Sequence, residues 1–569
     1  MKNRALHPKR EFENVRAMVE FIGEEYRGKV AYRYRKNPHD KEATLVNYET
    51  LRDHVRALGT EFIARGIAGK KIALIGKHTY PWIQTYYASL ATGSVLVPLD
   101  RDWTKEDLCE TVKTGECDYI ICDADILAKA QYIAEELGLP APIVNGDVEN
   151  SLESMVLAGA EKFAADSTPY FSAPIDVDAL ALLVFTSGTT GKGKGVMLSQ
   201  RNFKSDLADV IQYIDFSVKC MNVLPPHHTY GSSVSIYGQN SIGCDIYISS
   251  GVKYILKELK EHKPGHLVAV PLYVETFYRR ILKGIDEKGK FAAGLVKTLL
   301  KVNGACHKIG LKPLDGFFKK KILASFGGEL NMIISGGAPL NQEMADLFDA
   351  LGVKVLNGYG ITECAPILAV NRNEYIVPKS VGPVLDIVDA RIADPNEDGE
   401  GEIQVKGPNV MLGYYKDDEA NADAFTEDGY FRTGDYGKLE NRKDGTRILY
   451  ITGRLKNLII LSNGKNVYPE EIEDALAATP GIVEIIVYEG KSKRGITENK
   501  IVAEIYPDKD SLEKSGVTDL QAYFKKYVNE YNKTAVAYKK IDIVKVRDEE
   551  FPKNTLRKIL RRKIDMTID

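Results

Sequence analysis

A glycine-rich segment with several hydroxyl and amine side chains follows an apolar stretch near the end of the first third of the chain. Residues 186–195 read Thr-Ser-Gly-Thr-Thr-Gly-Lys-Gly-Lys-Gly. Glycines allow neighbouring backbone N–H groups to point into one concavity, and the hydroxyls and lysines add donors and positive charge. These residue types at this spacing predict a loop that binds a polyphosphate. Its candidate ligands are Thr186, Ser187, Gly188, Thr189, Thr190, Gly191 and Lys194.

The same spacing is close to that of a Walker A motif, which is the first alternative. Gly188, Gly193 and Lys194 occupy positions that the motif needs, but Gly195 follows the lysine. A Walker A loop requires serine or threonine there, because that hydroxyl binds Mg²⁺. The sequence therefore disfavours a P-loop nucleotide hydrolase, which would convert ATP to ADP.

Three later segments place aromatic, hydroxyl and carboxylate groups near glycines. They are residues 335–340 (Ser-Gly-Gly-Ala-Pro-Leu), 357–363 (Asn-Gly-Tyr-Gly-Ile-Thr-Glu) and 431–435 (Phe-Arg-Thr-Gly-Asp). A flat ring suits a purine base, a hydroxyl can donate to a phosphate, and a carboxylate is a hard ligand for Mg²⁺. Taken singly, Tyr359 fits a core aromatic residue better and Glu363 fits a surface charge better, and the turn before Asp435 indicates nothing. The functional interpretation depends on their occurring together.

In this order the segments resemble the motifs of the adenylate-forming superfamily, which contains acyl-CoA synthetases, peptide-synthetase adenylation domains and luciferases. The resemblance covers about residues 45 to 565 and implies AMP-forming activation of a carboxylic acid by ATP. It implies that Tyr359 lies against the purine, that Thr362 reaches the α-phosphate and that Glu363 holds Mg²⁺. It also places Asp435 and Arg454 at the ribose. The other nucleotide-binding residues that it implies are Gly336, Gly337, Ala338, Pro339, Asn357, Gly358 and Gly360.

The same resemblance implies a mobile lid at the end of the chain. Lys456 takes the position of the hinge pivot, and the loop that contains Gly464 resembles the segment that enters the site for the second half-reaction. Lys558 takes the position of the catalytic lysine, and Lys553 is the alternative if the register slips. Three residues depart from the family pattern and leave open a nucleotide-binding protein that has lost catalysis. They are Gly193 in place of proline, Asn457 in place of an acidic residue and Arg557 in place of glycine.

Two further segments bear on the acid. Residues 224–231 resemble the family's acid-pocket segment, with His228, Tyr230 and Gly231 as candidate pocket residues, although His228 alone is equally a packing residue. Residues 221–236 contain no acidic residue, which disfavours an amino-acid substrate. Residues 270–278 resemble the long-chain fatty acyl-CoA synthetase branch, which implies a medium- to long-chain fatty acid with ATP, Mg²⁺ and coenzyme A. The alternatives are a ligase that loads an acyl-carrier-protein thiol and an aromatic-acid CoA ligase.

Short apolar stretches alternate with helical patterns over much of the chain. The predicted strands are 71–76, 95–99, 119–122, 180–185, 266–272, 332–335 and 353–356, and the predicted helices are 81–92, one from Lys105 and one after the N-cap Ser199. This alternation predicts an α/β fold with doubly wound parallel sheets. A β-rich subdomain is expected from about residue 380. We expect an ATP- and acid-binding domain over 1–453 and a small α+β lid domain over 454–569.

The composition is that of an ordinary globular protein, with 44% apolar and 27% charged residues among 569. A net charge of −3 gives no indication of nucleic-acid binding. No apolar stretch reaches the roughly 18 residues that span a bilayer. Seven cysteines without a CxxC pair disfavour a disulfide framework or a zinc site. We expect a cytoplasmic protein with at most peripheral membrane contact, and the Lys-rich helical insertion at 273–326 is expected to be a solvated cover.

Overall fold

The computed structural model describes residues 3–146, 151–186, 193–461, 466–477, 479–492, 497–553 and 559–568. Within these ranges, three sheets occupy the part of the chain that ends at Arg454. Their strands are β1 (Val30–Tyr34), β2 (Thr44–Asn47), β3 (Lys71–Ile75), β4 (Val95–Leu99), β5 (Tyr119–Asp123), β6 (Ile143–Asn145), β7 (Leu180–Thr186), β8 (Lys194–Ser199), β9 (Lys219–Asn222), β10 (Asp245–Ile248), β11 (His266–Ala269), β12 (Met332–Ser335), β13 (Lys354–Gly360), β14 (Ile367–Val370), β15 (Gly382–Pro383), β16 (Asp389–Ala393), β17 (Gly401–Lys406), β18 (Gly413–Tyr414), β19 (Phe431–Asn441) and β20 (Arg447–Arg454).

Helices connect most of these strands and continue to the end of the chain. They are α1 (Val15–Glu25), α2 (Tyr48–Ala64), α3 (Tyr80–Ala91), α4 (Lys105–Thr114), α5 (Leu127–Leu137), α6 (Leu152–Ala165), α7 (Thr168–Ser172), α8 (Gln200–Ile211), α9 (Gln239–Ser241), α10 (Ile255–His262), α11 (Pro271–Asp286), α12 (Lys290–His307), α13 (Asp315–Lys321), α14 (Gln342–Ala350), α15 (Asp418–Ala424), α16 (Pro469–Ala477), α17 (Lys509–Lys514) and α18 (Leu520–Thr534). A π-helical segment over Tyr230–Gly238 precedes α9.

Parallel strands form the middle of both large sheets. The first sheet has the order β14-β13-β12-β11-β9-β10-β1-β2, with parallel pairing from β13 to β1 and antiparallel edges. The second has the order β18-β8-β7-β4-β3-β5-β6, in which β7 to β6 are parallel and β8 and β18 antiparallel. Helices α3 and α4 make the crossovers between β3, β4 and β5, as parallel pairing requires. The predicted doubly wound α/β fold is confirmed.

Local capping residues decide where two of the helices beside the site begin. The Ser199 hydroxyl accepts from the Asn202 N–H at 3.2 Å, and the Asn202 amide oxygen accepts from the Ser199 N–H at 2.7 Å. This reciprocal capping box starts α8 where the sequence predicted it. The predicted strand 266–272 was too long, since β11 ends at Ala269 and Pro271 begins α11. Proline is favoured in the first helical turn, where its missing N–H would have no intrahelical partner.

The type of secondary structure changes twice in the last third of the chain. An antiparallel sheet with the order β15-β20-β19-β17-β16 confirms the β-rich subdomain expected from about residue 380. Its strand β20 ends at Arg454, and a short 3₁₀ turn over Leu455–Asn457 follows. Two small sheets come next, formed by β21 (Ile459–Ile460), β22 (Asn466–Val467), β23 (Ile482–Lys491), β24 (Thr497–Pro507) and β25 (Ile543–Val546). With α16 to α18 they bury an apolar cluster of their own around Ile472, Val487 and Phe524.

The Lys-rich insertion is helical, as expected. Helices α11, α12 and α13 occupy it and share an apolar cluster that contains Phe277, Leu300 and Phe318. The cluster also includes Phe348 of α14 and the strand residues Leu267 and Ile333, so the insertion packs against the first large sheet together with α14. Among the described residues, no helix combines the length and the apolar composition needed to cross a bilayer.

Candidate active site

The glycine-rich loop connects two antiparallel strands. Thr186 ends β7 and Lys194 begins β8, and the two residues pair across the ladder. The loop residues between them that were predicted to bind phosphate, Ser187, Gly188, Thr189, Thr190 and Gly191, lie outside the described residues. A Cβ at Gly193 would lie 2.7 Å from the carbonyl oxygen of Thr186. This close approach gives a physical reason for glycine where the related family usually has proline.

A buried carboxylate on β19 is held from two sides. The Tyr359 hydroxyl donates to Asp435 Oδ2 at 2.6 Å, and Arg454 Nε lies 3.0 Å from Asp435 Oδ1. Asp435 is only 3% exposed, and it pairs with Arg454 in the β19–β20 ladder. The Asp435 charge raises the pKa of Arg454, and burial followed by the same charge raises the pKa of Tyr359. The structure therefore brings together three predicted nucleotide-site residues from β13, β19 and β20.

Glu363 is linked to the end of the glycine-rich loop through a tyrosine that the sequence did not single out. The Tyr414 hydroxyl donates to Glu363 Oε1 at 2.9 Å, and Lys194 Nζ lies 4.6 Å from the centre of the Tyr414 ring. Tyr414 is in the two-residue strand β18, which pairs with β8 through Val196. The backbone of Glu363 is fixed as well, because the Met411 N–H donates to its carbonyl oxygen at 2.8 Å. Glu363 follows Thr362 in a single 3₁₀ turn.

Glycines keep the carboxyl ends of β12 and β13 close to neighbouring groups. A Cβ at Gly336 would lie 3.3 Å from the Tyr230 ring, and one at Gly360 would lie 2.0 Å from the Pro366 carbonyl oxygen. Gly337 has a φ of +85°, which favours glycine. The other predicted residues of these segments, Ala338, Pro339, Asn357 and Gly358, lie at the same strand ends. Among the described groups, none donates to the buried Asn357 Oδ1, so this oxygen is available to accept from a ligand.

Tyr230 has a different surrounding from the one expected of a pocket residue. Its hydroxyl donates to the Ile334 carbonyl oxygen at 3.1 Å, and the Ala269 carbonyl oxygen is 3.4 Å away. These bonds tie the π-helical segment to the ends of β11 and β12. Gly231, next in the chain, leaves no room for a side chain, since its Cβ would lie 2.0 Å from the Pro225 carbonyl oxygen.

Two neighbouring histidines line a cavity of about 1960 Å³ that opens beside these strand ends. The ring centres of His227 and His228 are 4.3 Å apart. Burial lowers the pKa of His227 to about 4 and the pKa of His228 to about 3, so both rings are neutral at neutral pH. His228 Nε2 is buried, and none of the described groups bonds to it.

The cavity wall combines apolar and charged residues, and it includes acidic residues that the sequence argument missed. Apolar lining residues include Pro98, Phe185, Leu224, Val270, Leu272 and Phe277. Asp100 also lines the cavity, and its Oδ2 lies 3.8 Å from His227 Nε2. The absence of acidic residues from 221–236 therefore describes one segment of the wall and not the whole wall. Asp100 comes from the end of β4, about 120 positions earlier in the chain.

One hydrogen bond stabilises the turn after Arg454, and another connects the two parts of the chain. The Asn457 side-chain amide donates to Glu470 Oε1 at 2.5 Å, so helix α16 supplies a carboxylate where the related family often has one in the turn itself. Lys456 is exposed beside it. The Asn341 side-chain amide donates to the Asp474 carbonyl oxygen at 3.1 Å. Gly464 lies outside the described residues.

Of the two candidate catalytic lysines, only Lys553 lies within the described residues. Lys558 lies outside the described residues. Lys553 lines the cavity and forms ion pairs with Glu484 and with Glu550, the latter at 2.7 Å. Burial would lower the pKa of Lys553, but hydrogen bonds to these two carboxylates outweigh it and raise that pKa. The ammonium of Lys553 is therefore already neutralised by carboxylates.

Two of the cysteines treated as scattered in the sequence lie together in the first large sheet. Cys220, Cys244 and His266 are buried, and their ligand atoms lie within 4.8 Å of one another. The Gln239 side-chain oxygen lies 3.2 Å from Cys244 Sγ and 2.8 Å from His266 Nε2. These contacts form a hydrogen-bonded cluster inside the core.

Comparison with known proteins gives matches along most of the chain. A family model described as AMP-binding enzyme matches residues 20–415. The long-chain-fatty-acid–CoA ligase FadD15 of Mycobacterium bovis is 29% identical over 497 residues, covering 84% of this chain and 80% of the relative. The chloroplastic long-chain-fatty-acid–acyl-carrier-protein ligase AEE15 of Arabidopsis thaliana is 27% identical over 551 residues, covering 84% and 74%. The crystal structure of ATP-bound MatB from Rhodopseudomonas palustris has a TM-score of 0.74 at 26% identity, covering 96% and 97%.

These matches bear on three of the sequence-based predictions. Membership of the adenylate-forming superfamily, in its long-chain fatty acyl-CoA synthetase branch, is confirmed. The class of enzyme, an AMP-forming acid–thiol ligase, is confirmed as well. The predicted architecture agrees with a solved structure over nearly the whole chain. With a family match that spans well over half of its length, the chain belongs to the AMP-binding enzyme family.

Proposed function

We propose that this enzyme activates a medium- to long-chain fatty acid with ATP and transfers the acyl group to the thiol of coenzyme A. The observation that carries the proposal is the constellation of Tyr359, Asp435 and Arg454, in which the buried carboxylate contacts both other side chains. A buried carboxylate with two donors on it is a fixed acceptor for a diol, and a neighbouring ring suits a purine. The names of two relatives, a fatty-acid–CoA ligase and a fatty-acid–carrier-protein ligase, support the substrate class.

On the nucleotide side, we assign the purine to the end of β13. Tyr359 would lie against the base, and Asn357 Oδ1 would accept a hydrogen bond from an exocyclic amino group. That oxygen is buried and receives no bond from any described group, which fits a site completed by a ligand. Asp435 would accept from the ribose hydroxyls, and Arg454 would orient Asp435. Gly336, Gly337, Ala338, Pro339, Gly358 and Gly360 would form the wall around the base.

On the phosphate side, we assign the donors to the two loops that Tyr414 connects. Thr186, Lys194 and the loop between them would bind the phosphates, and Thr362 would donate to the α-phosphate. Glu363 fits Mg²⁺, because it is a half-buried carboxylate whose orientation is fixed by Tyr414. Bound there, the cation would neutralise phosphate charge during the reaction.

The reaction needs charge neutralisation and alignment more than it needs a base. An oxygen of the fatty carboxylate attacks the α-phosphorus, a new P–O bond forms, and the bond to the bridging oxygen breaks with release of pyrophosphate. By resemblance, Lys558 is assigned to hold the carboxylate and the α-phosphate together. A thiol sulfur then attacks the acyl carbon, and AMP leaves with the former carboxylate oxygen. The turn around Lys456 is assigned as the hinge, and the loop with Gly464 as part of the thiol path.

The acid is assigned to the cavity beside His228. A neutral imidazole and apolar walls suit an alkyl chain better than a charged side chain. Each buried methylene contributes about 0.8 kcal/mol, which would allow the cavity to favour longer chains. Asp100 faces this cavity and is the group that would pair with an amino group, so an amino-acid control belongs in any test.

The acceptor thiol has one alternative that a specific observation favours. The Arabidopsis relative is named as a ligase for a carrier protein and covers as much of this chain as the CoA ligase does. A carrier-protein thiol and coenzyme A share a phosphopantetheine arm, so the adenylate-forming half of the site would be the same for both.

Acid-dependent exchange of pyrophosphate into ATP tests the first half-reaction. Fatty acids of increasing length should support exchange, with aromatic acids and amino acids as controls that do not. Release of AMP on addition of coenzyme A, compared with addition of an unacylated carrier protein that bears the phosphopantetheine thiol, then identifies the acceptor. Exchange with aromatic acids alone would overturn the fatty-acid assignment, and exchange with no acid would overturn the ligase assignment for this chain.

A further inference from the structure

The segment between α11 and the end of α13 differs in charge from the rest of the protein. Residues 287–321 contain nine lysines and two acidic residues, Glu287 and Asp315, which gives a formal charge of +7. The chain as a whole carries −3. So large a local excess within a mildly acidic protein indicates a surface that attracts anions.

Large apolar side chains are exposed in the same segment. Phe291, Leu295, Val302, Ile309 and Leu311 are between 50% and 89% exposed. Single exposed apolar residues are normal, but a contiguous set of this size marks an interaction surface. Phe291, Leu295 and Val302 belong to α12, and Ile309 and Leu311 lie in the turn that follows it.

The helical positions of these residues separate three faces of α12. At 100° per residue, Phe291, Leu295 and Val302 fall within about 40° of one another. Ala293, Leu300 and Asn303 form the buried face, and Asn303 is anchored by a 2.9 Å bond to the Ala350 carbonyl oxygen. The side chains of Lys290, Lys297 and Lys301 fall together on a third face. The exposed apolar stripe is therefore not the side by which α12 packs on the protein.

We propose that α12 and the turn after it bind the surface of a lipid bilayer that contains anionic headgroups. An exposed apolar stripe flanked by a row of lysines is the arrangement of a helix that lies in the plane of a membrane interface. Phe291 and Val302 are 11 residues apart in α12, so the stripe extends for about 17 Å along that plane. Lysine stems can cover apolar surface while their ammonium groups reach the headgroups. We name this surface, Phe291 to Leu311, the α12 face.

The position of the α12 face in the chain relates it to the cavity. Helix α11 begins at Pro271, and its first turns contribute Leu272, Tyr273 and Thr276 to the cavity wall. The same helix leads directly into α12 through residues 287–289. Binding to a bilayer does not depend on ATP or on any acid, so it stands or falls separately from the proposed reaction.

Cosedimentation of the full chain with lipid vesicles tests the proposal. One set of vesicles contains phosphatidylcholine alone, and the other contains phosphatidylcholine with phosphatidylglycerol. The wild-type protein is expected to partition at least ten-fold more strongly onto the anionic vesicles, and added salt should weaken that binding. Equal partition onto both kinds of vesicle, or onto neither, would overturn the proposal.

Two double variants and two matched controls locate the binding surface. Phe291→Ser with Leu295→Ser removes two of the three apolar residues of the stripe, and Lys301→Glu with Lys308→Glu reverses two charges. Each should reduce partition onto anionic vesicles at least ten-fold, with an unchanged circular dichroism spectrum because all four side chains are exposed. Val218→Ser, at an equally exposed apolar position, and Lys443→Glu, on a distant hairpin, should leave partition unchanged.

Analytical ultracentrifugation tests whether the partner of the α12 face is a bilayer or a second copy of the chain. The proposal predicts that the serine double variant and the wild-type protein sediment with the same mass without vesicles. A wild-type dimer that the serine variant abolishes, together with no vesicle binding, would show that the α12 face joins two copies and would overturn the proposal. Equal loss of vesicle binding in Val218→Ser would also contradict it.

Discussion

Tyr359 and Asp435, 76 residues apart in the sequence, are joined by a 2.6 Å hydrogen bond from the tyrosine hydroxyl to Asp435 Oδ2. The tyrosine stands at the end of a parallel strand of the first large sheet, and the aspartate belongs to the antiparallel subdomain. Arg454 approaches the other carboxylate oxygen at 3.0 Å. The bond thus connects two sheets at the point where the nucleotide is proposed to bind.

Removing the hydroxyl of Tyr359 tests that connection. Tyr359→Phe keeps the ring for the purine but leaves Asp435 with one donor fewer. A hydrogen bond to a charged group contributes about 1.5–3 kcal/mol, so we expect kcat/KM for ATP to fall roughly ten-fold or more. Initial rates at varied ATP concentration measure the effect. Tyr450→Phe, on the neighbouring strand β20, is the matched control, and an equal loss in both variants would contradict the role given to Tyr359.

The two candidate lysines can be separated by half-reaction. Lys558→Ala should lower acid-dependent pyrophosphate exchange by about a hundred-fold or more, as loss of a group that stabilises transition-state charge does. It should largely spare thioester formation from a supplied acyl adenylate. Lys553→Ala should retain exchange, because Glu484 and Glu550 already neutralise that ammonium. Loss of exchange in Lys553→Ala alone would mean that the register assigned to the tail motif is wrong.

Tyr414 is expected to control how Glu363 binds Mg²⁺. Tyr414→Phe removes the 2.9 Å hydrogen bond to Glu363 Oε1. Loss of such an orienting bond typically weakens metal binding about ten-fold, so the Mg²⁺ concentration for half-maximal activity should rise by that factor. Titration of activity with Mg²⁺ measures it. Tyr415→Phe, next in the chain and bonded instead to Glu116, should leave the Mg²⁺ dependence unchanged.

Asp206 makes the stability of the large domain depend on pH. Burial raises the pKa of this carboxyl well above its usual value, and the Ile367 N–H donates to one of its oxygens at 3.0 Å. A carboxyl with a raised pKa binds protons more tightly in the folded protein, so stability falls as pH rises from the usual carboxyl range toward that raised value. Asp206→Asn removes this dependence and keeps the acceptor for Ile367.

Thermal unfolding at pH 5 and pH 8 measures the effect. The gain in Tm from Asp206→Asn should be larger at pH 8 than at pH 5, by about 2 °C or more. Asp428→Asn is the control, since hydrogen bonds from Arg391 lower the pKa of that carboxyl to about 2, so its effect on Tm should be the same at pH 5 and at pH 8. A gain that is equal at both pH values would contradict the assignment of a raised pKa to Asp206.

The parts of the structure that local chemistry decides were predictable from the sequence. Apolar strands followed by helical periodicity gave the doubly wound sheets, and Ser199 gave the start of α8. The predicted strand at 266–272 overran because Val270 and Leu272 are apolar, whereas Pro271 begins a helix. A run of apolar residues does not by itself distinguish a strand from the first turn of a buried helix.

The parts that long-range pairing decides were not predictable. Tyr414 contacts Glu363 because its two-residue strand β18 pairs with β8 at the edge of the second large sheet. Both β8 and Glu363 lie more than 50 residues from Tyr414 in the sequence. Asp100 reaches the cavity from the far end of another parallel strand. The Lys-rich insertion was expected to be a solvated cover, and only the packing of α12 reveals that its exposed face is apolar. No spacing in the sequence predicts these contacts or this exposed face.

Transfer of a labelled carboxylate oxygen tests the central claim most directly. A fatty acid whose carboxyl group carries ¹⁸O is incubated with ATP, Mg²⁺, coenzyme A and the enzyme, and the products are analysed by mass spectrometry. Attack of the carboxylate on the α-phosphorus predicts AMP with one ¹⁸O atom and unlabelled pyrophosphate. ADP with labelled phosphate, or AMP without the label, would contradict an acyl adenylate in this site.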